Sequence, residues 1–389
     1  MKVAIVAGEK SGDYLGSELI KSIKARYPNA EFVGLCGPLM QAEGAVSLDD
    51  MDKISLFGLE GLFSSIREIL AIRKKLKDYF IKWKPNFYVG IDVPDFNLAL
   101  ERTLKDHGIP AIHYVSPTVW AWRGGRINKI RRSIDLMLAL FPFEKIYYQK
   151  NQVNVAYVGH PLAKQIDEWK VSDEFLSSLN KKFDLSQKQI VALLPGSRMS
   201  EVTRLAPEMI RGAYELSKTH SQLQFVIPSA NEKTTQYLKN YLQNNSQYQN
   251  ASICMIDGHS RDVLSLCDFA VLASGTAALE AALFAKPMVV MYKVSWLSAF
   301  VFKNSITVEH FSMPNHLTDQ PVVPELIQQQ ATSENMIKEV NRLLQDTDHY
   351  NKMKMALSAV NPRLALNSSE LACDAIFKLL QERTSGVHH

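Results

Sequence analysis

The sequence predicts an α/β protein made of two doubly wound parallel sheets, and three observations point there. Short, largely apolar runs alternate with helical stretches almost from end to end, the pattern of strands buried on both faces and joined by crossover helices. The alternation pauses once, between residues 161 and 188, and then restarts. The chain has 389 residues, enough for two ordinary domains and too many for one small core.

In chain order, Lys2–Ala7 (KVAIVA) reads as a buried strand and Asp13–Arg26 as the helix after it. Glu31–Cys36 is a second strand. Asn86–Ile91 (NFYVGI) is another, followed by a helix over Phe96–Asp106 and the strand Ala111–Val115. Leu162 to Gln187 is polar and charged. Beyond it come Ile190–Leu194, a helix from about Thr203, Gln224–Pro228, a helix after Glu232, Ser252–Ile256, Phe269–Ala273, a helix from Thr276, and Met288–Tyr292. A last helical stretch, Ser368–Glu382, comes after the break at Asn361-Pro362. The expected domains are residues 1–165, 166–360, and a C-terminal helix within 361–385 that packs back on the first.

Composition narrows the function. Hydrophobic residues are 46% and charged residues 22%, ordinary for a globular protein. The net charge of +4 is too slight to predict a nucleic-acid partner. Cys36, Cys254, Cys267 and Cys373 lack the short spacing of a zinc or redox motif, so reduced thiols are expected. MKVAIVAGEKSGD is too short in its apolar run for a signal peptide. No apolar stretch reaches the roughly 18 residues of a spanning helix, so any membrane contact is expected at the surface. The terminal SGVHH is left out of the fold reading.

In open parallel sheets ligands sit at the carboxyl ends of strands, and two facing sheets are expected to leave an interdomain cleft. Four strand-end turns are therefore informative. In Ala7–Asp13 (AGEKSGD), Gly8 and Gly12 let backbone approach a ligand. The spacing is not the G-x-G-x-x-G dinucleotide fingerprint. The turn reads equally as a strand–helix junction capped by Ser11 or Asp13. In Leu194–Arg198 (LPGSR), Gly196 permits close approach, Ser197 donates, and Arg198 can clamp phosphate in bidentate fashion at a helix N-terminus. A surface turn with a solvated Arg is the alternative.

The third turn, Ala273–Glu280 (ASGTAALE), offers small residues and free amides suited to a pyrophosphate at Ser274, Gly275 and Thr276. Glu280, one helical turn in, could accept from ribose hydroxyls. Simple capping by Ser274 or Thr276 competes with that reading. In the fourth, Gly90–Asn97 (GIDVPDFN), Asp92 ends a buried strand, where a partly desolvated carboxylate can act as general base or serve only structure. Asp95 reads as the next helix's N-cap.

Ile54–Trp83 combines apolar residues near helical spacing (Leu62, Ile66, Ile69, Leu70, Leu76, Phe80) with Arg67, Arg73, Lys74, Lys75 and Lys77. This suits an interfacial helix meeting anionic headgroups, with an amphipathic core helix as the alternative. Val119–Arg123 and Trp296–Lys303 add aromatic, greasy segments with basic neighbours.

Seven blocks in order carry a resemblance along nearly the whole chain, to about residue 382: AGEKSGD, FVGLCGPLMQAE (Phe32–Glu43), GIDVPDFN, HYVSPTVWAWR (His113–Arg123), LPGSR, ASGTAALE and MPN (Met313–Asn315). LPGSR alone is weak; together the blocks are specific. The sequence closely resembles the lipid-A-disaccharide synthases, a Gram-negative glycosyltransferase family with the GT-B fold of two Rossmann-like domains. The resemblance implies transfer of 2,3-diacylglucosamine from UDP-2,3-diacylglucosamine to the 6-hydroxyl of lipid X (2,3-diacylglucosamine 1-phosphate). The products are a β-1,6 disaccharide and UDP.

Carried over by motif, Asp92 becomes the favoured catalytic carboxylate, with Glu9 the other candidate base. Gly196, Ser197, Arg198, Ser274, Gly275, Thr276, Glu280 and Asn315 fall on the UDP-sugar side. Gly8 and Ser11 lie in the N-terminal active-site turn. Leu62, Ile66, Ile69, Arg73, Lys74 and Lys75 would meet the anionic inner membrane surface, on its cytoplasmic face. His316 and Thr318–Val323 depart from the family's usual pattern around Asn315.

Inversion would then proceed without cofactor or metal, because Arg198 and the turn amides can stabilise the departing UDP and no Asp-x-Asp cluster stands at a strand end. Oligomeric state stays open. The rival readings are a UDP-sugar 2-epimerase on the same architecture, a glycosyltransferase for another lipid acceptor, and a membrane-associated nucleotide-sugar binding protein without turnover.

Overall fold

The computed structural model describes residues 1–55, 64–120, 124–183, 188–294 and 309–385. The chain divides into two compact units, Met1–Pro161 with the stretch from Ala365, and Leu162–Leu364.

The first unit holds seven parallel strands: β1 (Lys2–Ala7), β2 (Glu31–Leu35), β3 (Val46–Ser47), β4 (Phe87–Ile91), β5 (Ala111–Tyr114), β6 (Leu136–Ala139) and β7 (Val155–Tyr157). Their order across the sheet is β3-β2-β1-β4-β5-β6-β7. Every residue of β4 and β5 is buried, as a sheet covered on both faces requires. The order reverses at β1/β4, and a reversal point leaves a crevice at the carboxyl ends of the two strands. The turns after Ala7 and Ile91 lie there.

The second unit is a six-stranded parallel sheet of β8 (Gln189–Leu194), β9 (Leu223–Ser229), β10 (Ile253–Asp257), β11 (Phe269–Ala273), β12 (Met288–Tyr292) and β13 (Glu325–Ile327). Its order is β10-β9-β8-β11-β12-β13, reversing at β8/β11. That is where the LPGSR and ASGTAALE turns emerge. The strands β3, β6, β7 and β13, of two to four residues each, are not among those expected from the sequence.

The C-terminal helix Ser368–Ser385 belongs to the first unit. Arg26 meets Glu370 at 2.7 Å and Asp374 at 2.6 Å, the Phe377 ring packs at a tilt against Tyr27, and Arg383 reaches Asp135 at 3.1 Å.

Several helix starts differ from the sequence reading. The helix after β1 begins at Lys10 with Glu9 as N-cap, so Ser11 and Asp13 lie inside its first turn. Asp13 is buried and accepts from the amides of Leu39 (2.9 Å) and Met40 (3.0 Å), capping a different helix. The helix after β4 is Pro94–Asp106 with Val93 as N-cap. Asp95 sits in its first turn, paired with Arg126.

The candidate membrane segment contains the helix Ser64–Trp83, whose stripe Ile69, Ile72, Leu76 and Phe80 packs into the core with Tyr88, Phe96 and Leu100. Ile69 is only 4% exposed, so it leaves the membrane-facing set: the i, i+3, i+7 face it shares is taken by the sheet. Lys75 is spent on Asp49 (3.1 Å) and the Leu48 carbonyl. Arg73 is half-buried. Ile66 and Leu70 are exposed at 41% and 47%, beside exposed Arg67 and Lys74. Leu62, Trp122 and Trp296–Lys303 lie outside the described residues. Among the described residues no helix is long and apolar enough to cross a membrane.

Candidate functional site

In the second unit the reversal point opens into a cavity of about 450 Å³. Gly196, Ser197 and Arg198 line one side, and Ser274, Gly275, Thr276 and Ala277 the other. Both turns follow from the sequence. Gly196 has φ +115°, and a Cβ there would lie 2.4 Å from Glu201 Oε2, so any other residue is strained and must displace Glu201. Gly275 is the N-cap of the helix Thr276–Leu283, with φ +153° and no side-chain cap, so the competing reading of Ser274 or Thr276 as the cap does not hold. The first-turn amides of a helix have no intrahelical partner, and Thr276 and Ala277, at the start of this helix, line the cavity.

The LPGSR turn is less open than its sequence suggests. The Ser197 and Arg198 amides donate to Glu201 Oε2 at 3.3 and 3.4 Å. These long bonds place a carboxylate where an external anion would bind. The Arg198 side chain is 75% exposed, 3.5 Å from Glu201 Oε1, which leaves the guanidinium available.

Glu280 is buried at the cavity wall, and Arg261 Nε donates to its Oε1 at 2.7 Å. The Arg261 guanidinium in turn lies over the Trp169 ring, 5.4 Å from its centre, and Trp169 Nε1 donates to Asp262 Oδ1 at 3.1 Å. One Glu280 oxygen, Oε1, is thus held by Arg261 at the cavity wall. Sequence reasoning misses Arg261. Its signal lies in Gly258-His259-Ser260-Arg261, another strand-end turn in this unit; Gly258 and Ser260 also line the cavity.

Asn315 is not among the cavity's lining residues. Its Nδ2 donates to the Val323 carbonyl (2.9 Å) and Glu325 Oε1 (2.7 Å), and its Oδ1 accepts from the amides of Val322 and Val323, both at 3.0 Å. A primary amide has two donor hydrogens and one acceptor oxygen. Here all are committed to holding the 313–325 segment, so any influence on a ligand passes through that segment.

In the first unit the two turns of the reversal point touch. A Cβ on Gly8 would lie 2.3 Å from Val93 Cγ2, so glycine is what lets the turns approach. Glu9 and Ser11 are exposed on one turn. Asp92 is half-buried on the other. Its φ is +53° and that of Val93 +43°. Successive non-glycine residues in the left-handed region are costly and concentrate at functional sites. Among the described residues no group of three or more His, Cys, Asp or Glu gathers to hold a metal.

Solved structures share this architecture over nearly the whole chain. A putative UDP-N-acetylglucosamine 2-epimerase from Listeria monocytogenes matches with a TM-score of 0.67 at 11% identity, covering 98% of this chain and 97% of that one. The UDP-GlcNAc 2-epimerase from Neisseria meningitidis bound to UDP-GlcNAc gives 0.63 at 14%, covering 97% and 100%. A glycosyltransferase from Rickettsia africae gives 0.56 at 13%, covering 98% and 97%. The fold is therefore GT-B, an architecture common to glycosyltransferases and epimerases.

Sequence separates the two. The family model described as lipid-A-disaccharide synthetase matches residues 3–375. Lipid-A-disaccharide synthases from Pseudoalteromonas translucida and Alcanivorax borkumensis are 41% and 40% identical over 383 and 380 residues, covering 98% and 97% of this chain and 97% of each relative. The chain belongs to the lipid-A-disaccharide synthase family, glycosyltransferases of lipid A biosynthesis.

Proposed function

We propose that the protein transfers 2,3-diacylglucosamine from UDP-2,3-diacylglucosamine to the 6-hydroxyl of lipid X, inverting the anomeric carbon and releasing UDP. The observation that carries the reading is the cavity at β8/β11. Two glycine turns and a held carboxylate converge there on a space of about 450 Å³, which is the size class of small-ligand sites. Amides at the Thr276 helix start suit the pyrophosphate, and the Glu280 carboxylate suits ribose hydroxyls.

The roles follow from charge. The leaving UDP gains negative charge in the transition state, and donors aimed at that charge lower the barrier. Arg198 supplies a bidentate cation, and the Ser197 and Arg198 amides supply dipoles once phosphate displaces the Glu201 carboxylate. Asp92 takes the proton of the acceptor hydroxyl as its oxygen attacks in line; Glu9, exposed on the neighbouring turn, is the second candidate for that step. Asn315 acts by holding its segment.

The greasy substrates place the enzyme on the anionic cytoplasmic face of the inner membrane, with Ile66 and Leu70 entering the interface and Arg67 and Lys74 meeting headgroups. The test is transfer of radiolabelled diacylglucosamine from its UDP conjugate to lipid X. Disaccharide formation is expected. A C2-epimerised donor, or tight UDP binding without product, would replace this reading by an epimerase or a binding protein.

A further inference from the structure

An unusual polar assembly is buried behind Asp92, and its meaning rests on the reading of that residue as the base. The left-handed Asp92–Val93 turn costs on the order of 1–3 kcal/mol per residue and persists only if its surroundings over-determine it. They do. Asp92 N donates to the Tyr114 carbonyl at 2.8 Å. Asn97 Nδ2 donates to the Asp92 carbonyl at 2.7 Å, and the amides of Phe96 and Asn97 both reach the Val93 carbonyl at 3.0 Å. Asn97 is itself fixed: it is fully buried, and its Oδ1 accepts from the Tyr88 hydroxyl at 2.8 Å.

One helical turn further along the same face lies Glu101. Its Oε1 meets His113 Nδ1 at 2.6 Å, and both side chains are 0% exposed. His113 stands on β5 directly opposite Gly90 of β4. A Cβ on Gly90 would lie 2.4 Å from Glu101 Oε1 and 2.9 Å from Asn97 Cβ. The strand that leads into Asp92 thus gives up a side chain so that these two polar residues can lie against it.

Stability does not explain the pair. A buried ion pair is often matched or bettered by apolar residues of similar volume. This one also leaves Glu101 Oε2 and His113 Nε2 without hydrogen-bond partners, and each orphan buried polar atom costs about 1–3 kcal/mol. Burial by itself would discharge the imidazole, but the Glu101 carboxylate, and after it Asp92, hold its pKa above the ordinary histidine value. Burial pushes Glu101 up as well, with His113 opposing. The pair therefore keeps its shared proton to higher pH than a solvent-exposed histidine would. The titratable groups acting on it are Asp92 from the strand-end turn and Tyr88, a neighbour of Glu101, from β4.

We propose that Glu101 and His113 are positioning residues for the transfer reaction: locked against Gly90 and Asn97, they hold the left-handed turn and set the Asp92 carboxylate in the orientation that takes the acceptor proton. Being wholly buried, neither touches substrate. Their effect passes through Asp92, and it is an effect on turnover rather than on donor binding.

The experiment uses the full chain with Glu101→Gln, which keeps the side-chain length but replaces the charge-assisted bond that locks His113 with a weaker neutral one. The expected result, assayed well below the variant's own unfolding temperature, is a kcat at least tenfold lower with a donor KM within twofold of the parent. His113→Gln carries the same expectation and serves if Glu101→Gln does not fold. Unchanged kcat, or a loss of activity that merely tracks a lower unfolding temperature, overturns the positioning role. Asp92→Asn, measured alongside, separates the two ideas. Near-parental turnover there removes the base reading and this proposal with it. Lost turnover there with unaltered kcat in Glu101→Gln removes the positioning role alone.

Discussion

Gly196→Ala probes the LPGSR turn with the smallest possible change. At φ +115° an L-residue is strained by about 1–3 kcal/mol. The added methyl would also sit 2.4 Å from Glu201 Oε2 and 2.7 Å from Glu201 Cβ. The carboxylate end can swing away, but the Cβ is fixed to the helix, so the turn itself must move. Displacing the carboxylate forfeits the cap on the Ser197 and Arg198 amides, worth about 1 kcal/mol. The sum is about 3 kcal/mol. For a unit of this size that corresponds to an unfolding temperature lower by about 6–12 °C. Because the same amides are assigned to UDP phosphate, the UDP Kd should rise at least about tenfold, the equivalent of about 1.4 kcal/mol. Calorimetry for unfolding and titration calorimetry for UDP measure both. An alanine variant with parental melting and parental UDP affinity would refute the idea that this backbone conformation matters and that its amides bind phosphate.

Other expectations concern single sites. Arg198→Ala should lower kcat more than it raises donor KM, and Arg198→Lys should recover only part of the loss, because a point charge cannot reproduce the guanidinium fork; a pure KM effect in steady-state kinetics would make Arg198 a ground-state anchor. Arg261→Met should raise donor KM with kcat nearly constant, since it frees Glu280 to swing from the cavity; unaltered KM would show that Glu280 needs no holding. Glu144 is buried, and despite bonds from the Phe141 amide and Ser116 its pKa is pushed up to about 8. Its folded form therefore binds a proton that the unfolded chain has lost above pH ~4.5, so stability falls as pH rises from there to about 8. Glu144→Gln should melt progressively higher than the parent across that window in scans at pH 5, 7 and 9, and a constant difference would contradict the shift. Leu70→Ser with Lys74→Ser should weaken sedimentation with anionic vesicles, each exposed basic residue contributing on the order of 1 kcal/mol; the Lys75→Ser control should do less, because that amine is held by Asp49.

The sequence by itself determined what depends on local pattern. Runs such as KVAIVA and FAVLA read as strands buried on both faces, because they are short, apolar and bounded by turn residues. The alternation of such runs with helices dictated two doubly wound sheets. The glycines of the strand-end turns were legible because close approach and positive φ leave few alternatives.

Tertiary structure decided what depends on partners distant in the chain. Ile69 and Ile66 are both apolar residues of one helix. Only the presence of Tyr88 and Phe96 beneath it sends Ile69 to the core and leaves Ile66 at the surface. Asn315 reads as a ligand contact in sequence, yet the Val322, Val323 and Glu325 groups use up its amide. Arg261 acquires meaning only because a helix 19 residues later brings Glu280 within 2.7 Å. Glu101 and His113 are ordinary letters in a helix and a strand. Their pairing exists because β4 and β5 lie side by side with Gly90 of β4 opposite the histidine, and a sequence carries no record of which buried polar atoms go without partners.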